Sequence, residues 1–220
     1  MRLLAVDTTT PRGSVAVVGE GGVLAEARVL TTEGHSRWLL PALDALLRGL
    51  GVEAADLDGF AVTTGPGSFT GIRVGLSSVQ GLALATGRPC VGRTALDVLG
   101  DAAGGAARSV VALMDAFRGE VFSAVFTGGV LEGERQVGPL ADVLRGLTPG
   151  TAFVGDAVQA RREAIRSEVG GALFPEIDLF LAATLGRSAL RDVAEGRAQP
   201  GSALRALYLR GADIRVPRPP

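Results

Sequence analysis

One unit occurs twice in this chain: an apolar strand ending in aspartate, a tight turn, and a second strand. Leu3-Leu4-Ala5-Val6-Asp7 leads into Gly13-Ser14-Val15-Ala16-Val17-Val18. Val111-Ala112-Leu113-Met114-Asp115 leads into Gly119-Glu120-Val121-Phe122-Ser123-Ala124-Val125, with a connection about two residues shorter. An internal repeat constrains a fold more than an isolated motif, because both copies must be built on the same local pairing. Strand-turn-strand units are common, so coincidence is the competing reading. Duplication is the one adopted.

Hydrophobic periodicity fills in the elements around each copy. Residues 14–18 and 23–30 alternate like strands and, with the opening run, predict a three-strand antiparallel meander. Leu39, Leu43, Leu46, Leu47 and Leu50 recur at helical spacing, so a helix is expected from Ser36 to Leu50, stopped by Gly51. Phe60 to Thr64 reads as a strand, and Gly65-Pro66-Gly67 breaks the chain. Ser68 then caps a long helix running to about Thr86. Cys90 to Gly92 is expected as a short strand and Ala95 to Leu99 as a short helix. Later signals are weaker: helices over Ala141–Leu147, Val158–Glu168 and Leu179–Glu195, a strand over Phe153–Gly155, and an apolar stretch Ala203–Arg210 that packs back on the body. Val216-Pro217-Arg218-Pro219-Pro220 reads as a frayed tail.

A duplicated unit of this kind implies two similar lobes beside a cleft, as in the actin, hexokinase and Hsp70 superfamily. The expected fold is α/β: a duplicated, two-lobed actin-like ATPase (ribonuclease H-like) architecture, with one lobe over residues 1–106 and a smaller one over 107–220.

What the chain lacks excludes much chemistry. There is no lysine, which removes a Walker A phosphate loop and a pyridoxal Schiff base. With one histidine and one cysteine, the usual zinc clusters and H-E-x-x-H are absent, and no metal site is expected. Apolar residues make up 47%, enough for a packed core, but no run is long enough to span a membrane. The opening run meets Asp7 too soon for a signal peptide, and Cys90 has no disulfide partner, so a reducing cytosol is the expected location. A net charge of −1 gives no global basic excess for gripping RNA, so a partner must supply most of any such grip.

Few residues are left to carry chemistry. Asp7-Thr8-Thr9-Thr10 could hold an anion through its hydroxyls and turn amides, and Asp115 is its counterpart in the second copy. Equally, these groups satisfy a turn. Without lysine, at most a vestigial or weak nucleotide site is expected there. Gly71 and Gly75 share a helix face with Ser78. Glycine in a helix costs about 1 kcal/mol relative to alanine, so close approach of another element is expected, inside the chain or in a partner. His35, at the start of the leucine-rich helix, is expected to contact a partner or backbone. Trp38 fits a core or an interface, and Cys90 is a buried small hydrophobe. Arg161, Arg162 and Arg166, interrupted by Glu163 and Glu168, read as a solvated face.

The segment Gly65-Pro66-Gly67-Ser68-Phe69-Thr70-Gly71-Ile72-Arg73-Val74-Gly75 resembles the hallmark of the TsaB (YeaZ) family. So do Leu4-Ala5-Val6-Asp7-Thr8, His35-Ser36 before Leu40-Pro41, Gln80-Gly81-Leu82-Ala83, Asp115-Ala116-Phe117-Arg118-Gly119-Glu120-Val121-Phe122, Phe153-Val154-Gly155-Asp156 and Tyr208-Leu209-Arg210. The resemblance implies an actin-like, non-catalytic subunit that supports a larger paralogue, TsaD, in making threonylcarbamoyladenosine in tRNA, together with the ATPase TsaE. It implies no cofactor, except a nucleotide held weakly or at the partner interface. It also implies tRNA contact only through the complex, and a homodimer when the partner is absent. The interface would use the two helices of the first lobe: His35, Trp38, Leu39, Leu43, Ser68, Gly71, Arg73, Gly75 and Ser78. The positions of TsaD's metal-binding H-x-x-x-H fall here at Arg93 and Asp97, and a guanidinium is no metal ligand. The alternative is a stand-alone actin-like ATPase or kinase using Asp7, Thr9 and Asp115. The older peptidase label of the family is contradicted by the missing ligands.

Overall fold

The computed structural model describes residues 1–210. The expected frayed tail at residues 216–220 lies outside the described residues. The strands form two mixed sheets on one plan. In the first, β1 (Arg2–Asp7) pairs antiparallel with β2 (Arg12–Gly19), and β2 with β3 (Gly22–Leu30). On the other side of β1 lie β4 (Gly59–Thr63) and then β5 (Cys90–Arg93), both parallel, giving the order β3-β2-β1-β4-β5. The second sheet holds β6 (Ser109–Asp115), β7 (Glu120–Thr127), β8 (Val130–Pro139) and β9 (Ala152–Val154) in the order β8-β7-β6-β9. Its pairing senses repeat those of the first four strands. The duplication extends from a hairpin to a four-strand motif.

Strand β8 was not expected. It is an edge strand reading Val-Leu-Glu-Gly-Glu-Arg-Gln-Val-Gly-Pro, mostly exposed, and its register shifts against β7 at Ser123–Val125. Edge strands carry charge and irregularity that blunt further pairing, and this removes the alternation that sequence reading depends on.

Strand β1 is apolar throughout because both of its faces are covered. Side chains alternate across a strand, so Leu4 and Val6 point one way and Leu3 and Ala5 the other. Leu4 and Val6 meet helices α1 (Leu39–Leu50) and α2 (Phe69–Thr86) through Leu39, Leu43, Val79 and Ala83. Leu3 and Ala5 belong to a core that continues through Leu96 and Leu99 of α3 (Ala95–Ala102) to Ala112 and Met114 of the second sheet. Leu185 and Ala189 of α6 (Ala182–Ala194) complete it. Gly186 of α6 lets that helix come close, since a Cβ there would stand 2.4 Å from a methyl of Val18. The space between the lobes is therefore packed by α3 and α6, where an inter-lobe cleft was expected. On the far side of the second sheet, α5 (Val158–Glu168) contributes Val158 and Ile165 to a separate core with Phe153, and the short α4 (Leu140–Leu144) contributes Leu144.

Boundaries moved in places. Helix α1 begins at Leu39, after a turn in which the amides of Trp38 and Leu39 both donate to the His35 carbonyl. Helix α4 stops at Leu144, short of Leu147, and α6 starts at Ala182, later than Leu179. Cys90 is fully buried, and burial pushes its thiol up to about 11.

Candidate functional site

The two aspartate turns share a backbone plan and little else. Asp7 is completely buried. Its Oδ1 accepts from the Thr9 amide at 3.1 Å, the Thr9 hydroxyl at 2.7 Å and the Thr63 hydroxyl at 2.6 Å, while Oδ2 has no partner among the described residues. Burial pushes its pKa up, against the pull of those hydrogen bonds. Asp115 is 43% exposed and pairs with Arg161 of α5 at 2.9 Å, and its amide donates to Asp156 at 3.1 Å. The cavity between the turns, lined by Thr10, Arg12, Met114 and Asp156 among others, measures about 10 Å³. That is room for roughly one water, so Asp7, Thr8, Thr9 and Asp115 do not open on a common pocket.

The lid over Asp7 is helix α2. Ser68 caps it, its hydroxyl accepting from the Gly71 amide at 3.2 Å. Gly71 lies so close to β1 that an added Cβ would stand 2.1 Å from the Thr8 carbonyl oxygen. At Gly75 the obstacle would be the Thr8 hydroxyl, at 2.4 Å. The Thr8 hydroxyl in turn donates to the Gly71 carbonyl at 2.8 Å. The close approach expected of these glycines is thus made inside the chain. This corrects their placement on an interface: Gly71 and Gly75 are buried against the Asp7 turn. Leu39 and Leu43 are corrected likewise, being buried in the first-lobe core. Ser78 is half-buried and donates to the Val74 carbonyl at 2.8 Å.

His35 is buried and held at both ring nitrogens. Trp38 Nε1 donates to Nδ1 at 3.1 Å, so Nδ1 is an acceptor and Nε2 must donate to the Thr10 carbonyl, 2.9 Å away. The ring is therefore neutral, and burial lowers its pKa below the usual value. Of the expected contacts, a partner or backbone, the structure shows the backbone one. The pair also leaves no room for a side chain at Gly13, where a Cβ would stand 2.2 Å from Trp38.

The positions aligned with the paralogue's metal ligands serve packing. Arg93 bridges Asp101 and Asp192, at 2.8 and 3.1 Å. Asp97 takes both of its carboxylate oxygens to Arg135 on β8. Among the described residues no cluster has the make-up of a metal site. On the arginine-rich helix α5, Glu163, Arg166 and Glu168 are exposed as expected, but Arg161 is only 18% exposed in its pair with Asp115, and Arg162 and Arg166 stack on Phe174 at 4.6 and 5.4 Å.

Among the described residues, two open surfaces involve α2. One is the outer face of α2, where Arg73, Ser77, Gly81, Leu84 and Ala85 are exposed, Leu84 almost fully, with Leu40 exposed on neighbouring α1. The other is a groove of about 970 Å³ where α2 begins, bordered by Phe69 and Arg73, Phe117 and Phe122, and Tyr208 and Arg210. Sequence reading gave Arg73 an interface role but named Phe117 and Tyr208 only within family-like segments, with no role. The available signal was an aromatic residue at the tip of a turn, Phe117-Arg118-Gly119, where small polar residues are usual.

The family model described as TsaD: tRNA N6-adenosine threonylcarbamoyltransferase matches residues 17–185. The tRNA threonylcarbamoyladenosine biosynthesis protein TsaB of Escherichia coli (strain K12) is 38% identical over 140 residues, which span 61% of this chain and 60% of that protein. The match therefore covers less than two thirds of that relative's length. The solved structure of YeaZ from Pseudomonas aeruginosa is 29% identical, with a TM-score of 0.80 over 94% of this chain and 99% of that one. The activator of the 2-hydroxyisocaproyl-CoA dehydratase from Clostridium difficile shares the fold alone, with a TM-score of 0.58 at 10% identity. These neighbours agree with the expected actin-like duplication.

Proposed function

The chain belongs to the TsaB (YeaZ) branch of this threonylcarbamoyltransferase-related family, and from that premise we propose that it is a non-catalytic subunit in tRNA threonylcarbamoyladenosine synthesis. It binds and activates a TsaD-type paralogue in an assembly that includes a TsaE-type ATPase, and it reaches tRNA through that complex. The observation that carries this reading is the sealed Asp7 turn. The aspartate that would face metal and phosphate in an active relative is fully buried, roofed by a helix whose glycines touch Thr8. A nucleotide could reach it only if α2 moved.

The binding surface in this reading is the outer face of α1 and α2, with Leu84, Ser77, Arg73 and Leu40 in place of the buried glycines and leucines. Small side chains along α2 allow a partner helix to come near, and exposed leucines supply apolar area. The same face closes a homodimer when the partner is absent, because a two-fold contact hides it from water.

Drop-out reconstitution tests the proposal. TsaD, TsaE, the adenylate synthase, threonine, bicarbonate, ATP and unmodified tRNA are combined with or without this protein, and threonylcarbamoyladenosine is measured. Modification should collapse without it and be restored by the native chain, but not by Leu84→Arg, which leaves the fold intact. Equal modification with and without the protein would end the subunit reading. Tight Mg-ATP binding by the isolated chain in calorimetry would favour the ATPase alternative.

A further inference from the structure

The groove at the start of α2 has a chemistry of its own. Phe69, Phe117 and Tyr208 are 43%, 68% and 42% exposed, a concentration of aromatic surface in one place. Phe69 and Tyr208 pack at 5.2 Å between centroids. Arg73 lies over Phe69 at 3.8 Å and donates from Nε to the Tyr208 hydroxyl at 3.2 Å. These contacts hold its guanidinium rigidly, yet among the described residues no carboxylate lies within ion-pair distance of it. Arg210 differs, since Glu120 neutralises it. Phe117 is held at φ 60 and Arg118 at φ 53, in the left-handed region. Such a conformation is strained in a non-glycine residue. Here it points a large ring at water.

A stacked but uncompensated arginine beside open aromatic rings is the composition of an interface hot spot. The charge states which partner fits. A carboxylate beside Arg73 gains a charge-assisted hydrogen bond. The amides of Phe69 and Thr70, in the first turn of the 18-residue α2, find no acceptor among the described residues and favour the same sign. The rings beside them offer apolar area to a neighbouring side chain. A nucleic-acid strand fits less well, because phosphate binding needs several uncompensated cations in a row and the walls here are largely apolar.

We propose that this groove docks an acidic, apolar segment of a partner polypeptide, with a carboxylate on Arg73 and the adjacent apolar side chain on Phe69, Phe117 and Tyr208. The groove shares Arg73 with the outer face of α2, but its rings Phe117 and Tyr208 lie on neither α1 nor α2. Its failure leaves that reading standing, since the helix face is tested by Leu84→Arg.

The test is an NMR titration of the full, nitrogen-15-labelled chain with the synthetic peptide acetyl-Gly-Asp-Asp-Leu-Phe-Asp-Gly-amide. Its analogue with lysine for each aspartate and a ten-nucleotide oligouridine are titrated in parallel. The acidic peptide should give saturable shifts confined to residues 66–73, 116–122 and 207–210. Arg73→Glu should weaken it at least tenfold and turn the preference to the lysine peptide. Phe117→Ala should weaken both pairings without disturbing the rest of the spectrum. The proposal is overturned if the acidic peptide does not saturate by millimolar concentration, or if oligouridine takes the site in preference. Binding seen only after removal of residues 211–220 would also overturn it, because the groove would then belong to the chain's own end.

Discussion

The turn after β1 and the turn after β6 are copies of one motif with opposite fates. Both end a strand in aspartate, and both have a parallel strand beside them followed by glycine. After β4 the chain runs Gly65-Pro66-Gly67, and a Cβ on Gly67 would stand 2.3 Å from the Thr9 carbonyl oxygen. After β9 comes Gly155, at φ 118, where a Cβ would stand 2.0 Å from the Leu113 carbonyl oxygen. Each copy thus has a close glycine approach, but to Thr9, two residues past Asp7, in the first and to Leu113, two residues before Asp115, in the second. The helix that follows differs too. Helix α2 presents Gly71 and Gly75 and closes on its aspartate, whereas α5 presents Arg161, which pairs with an aspartate left at the surface. Duplication preserved the strand pairing, and the side chains of the next helix decided whether the carboxylate is buried.

The largest effects should come from breaking the close glycine approaches. Gly71→Ala places a methyl on a backbone oxygen that has nowhere to go, and about 3 kcal/mol or more should be lost, at the upper end for overpacking. For a chain of this size that lowers Tm by roughly 6–12 °C. Gly155→Ala should cost a similar amount, with φ strain added. Gly75→Ala should cost less, because it meets a hydroxyl that can rotate away. If thermal melts rank Gly75→Ala as the worse of the two α2 variants, the account of the lid is wrong.

Next in size is the support at the first turn. His35→Ala strands the Trp38 N–H and the Thr10 carbonyl, which should cost about 2 kcal/mol. The same ring confers a pH dependence. Its folded pKa is lowered, so below about pH 6.5 the unfolded chain binds the extra proton and the folded one resists it. Stability is therefore full above that pH and falls as the pH drops through it toward the folded value. Denaturant melts between pH 7.5 and 5 should show this slope, and His35→Gln should flatten it.

Two smaller tests set one aspartate against the other. Asp7→Asn keeps Oδ1 for its three donors and removes a buried charge, so Tm at pH 7 should hold or rise by roughly 2–4 °C, about 1 kcal/mol. The sign agrees with its raised pKa: the charged form is the costly one, and that cost is fully present once the pH is above the folded value. Asp115→Asn weakens a half-exposed ion pair and should change stability by less than about 1 kcal/mol. A large loss in the first and none in the second would mean that Asp7 is tied to something beyond Thr9 and Thr63.

The local decisions were legible in the sequence because they rest on near neighbours. The opening meander, the Ser68 cap and the stop at Gly51 follow from alternation, capping chemistry and a left-handed glycine, each a matter of a few consecutive residues. The repeat itself was visible because both copies keep the run from apolar strand to aspartate. Strand β8 was hidden because an exposed edge has no apolar face to show. What only the tertiary structure decided is which way each face turns. Spacing placed Gly71, Gly75 and Ser78 together, but it could not say whether that face met Thr8 or water. Nor could it foresee that Phe69, Phe117 and Tyr208, far apart along the chain, would border one groove. Periodicity fixes which residues share a face. The partner of that face is set by long-range packing, and that is a property of the assembled layers alone.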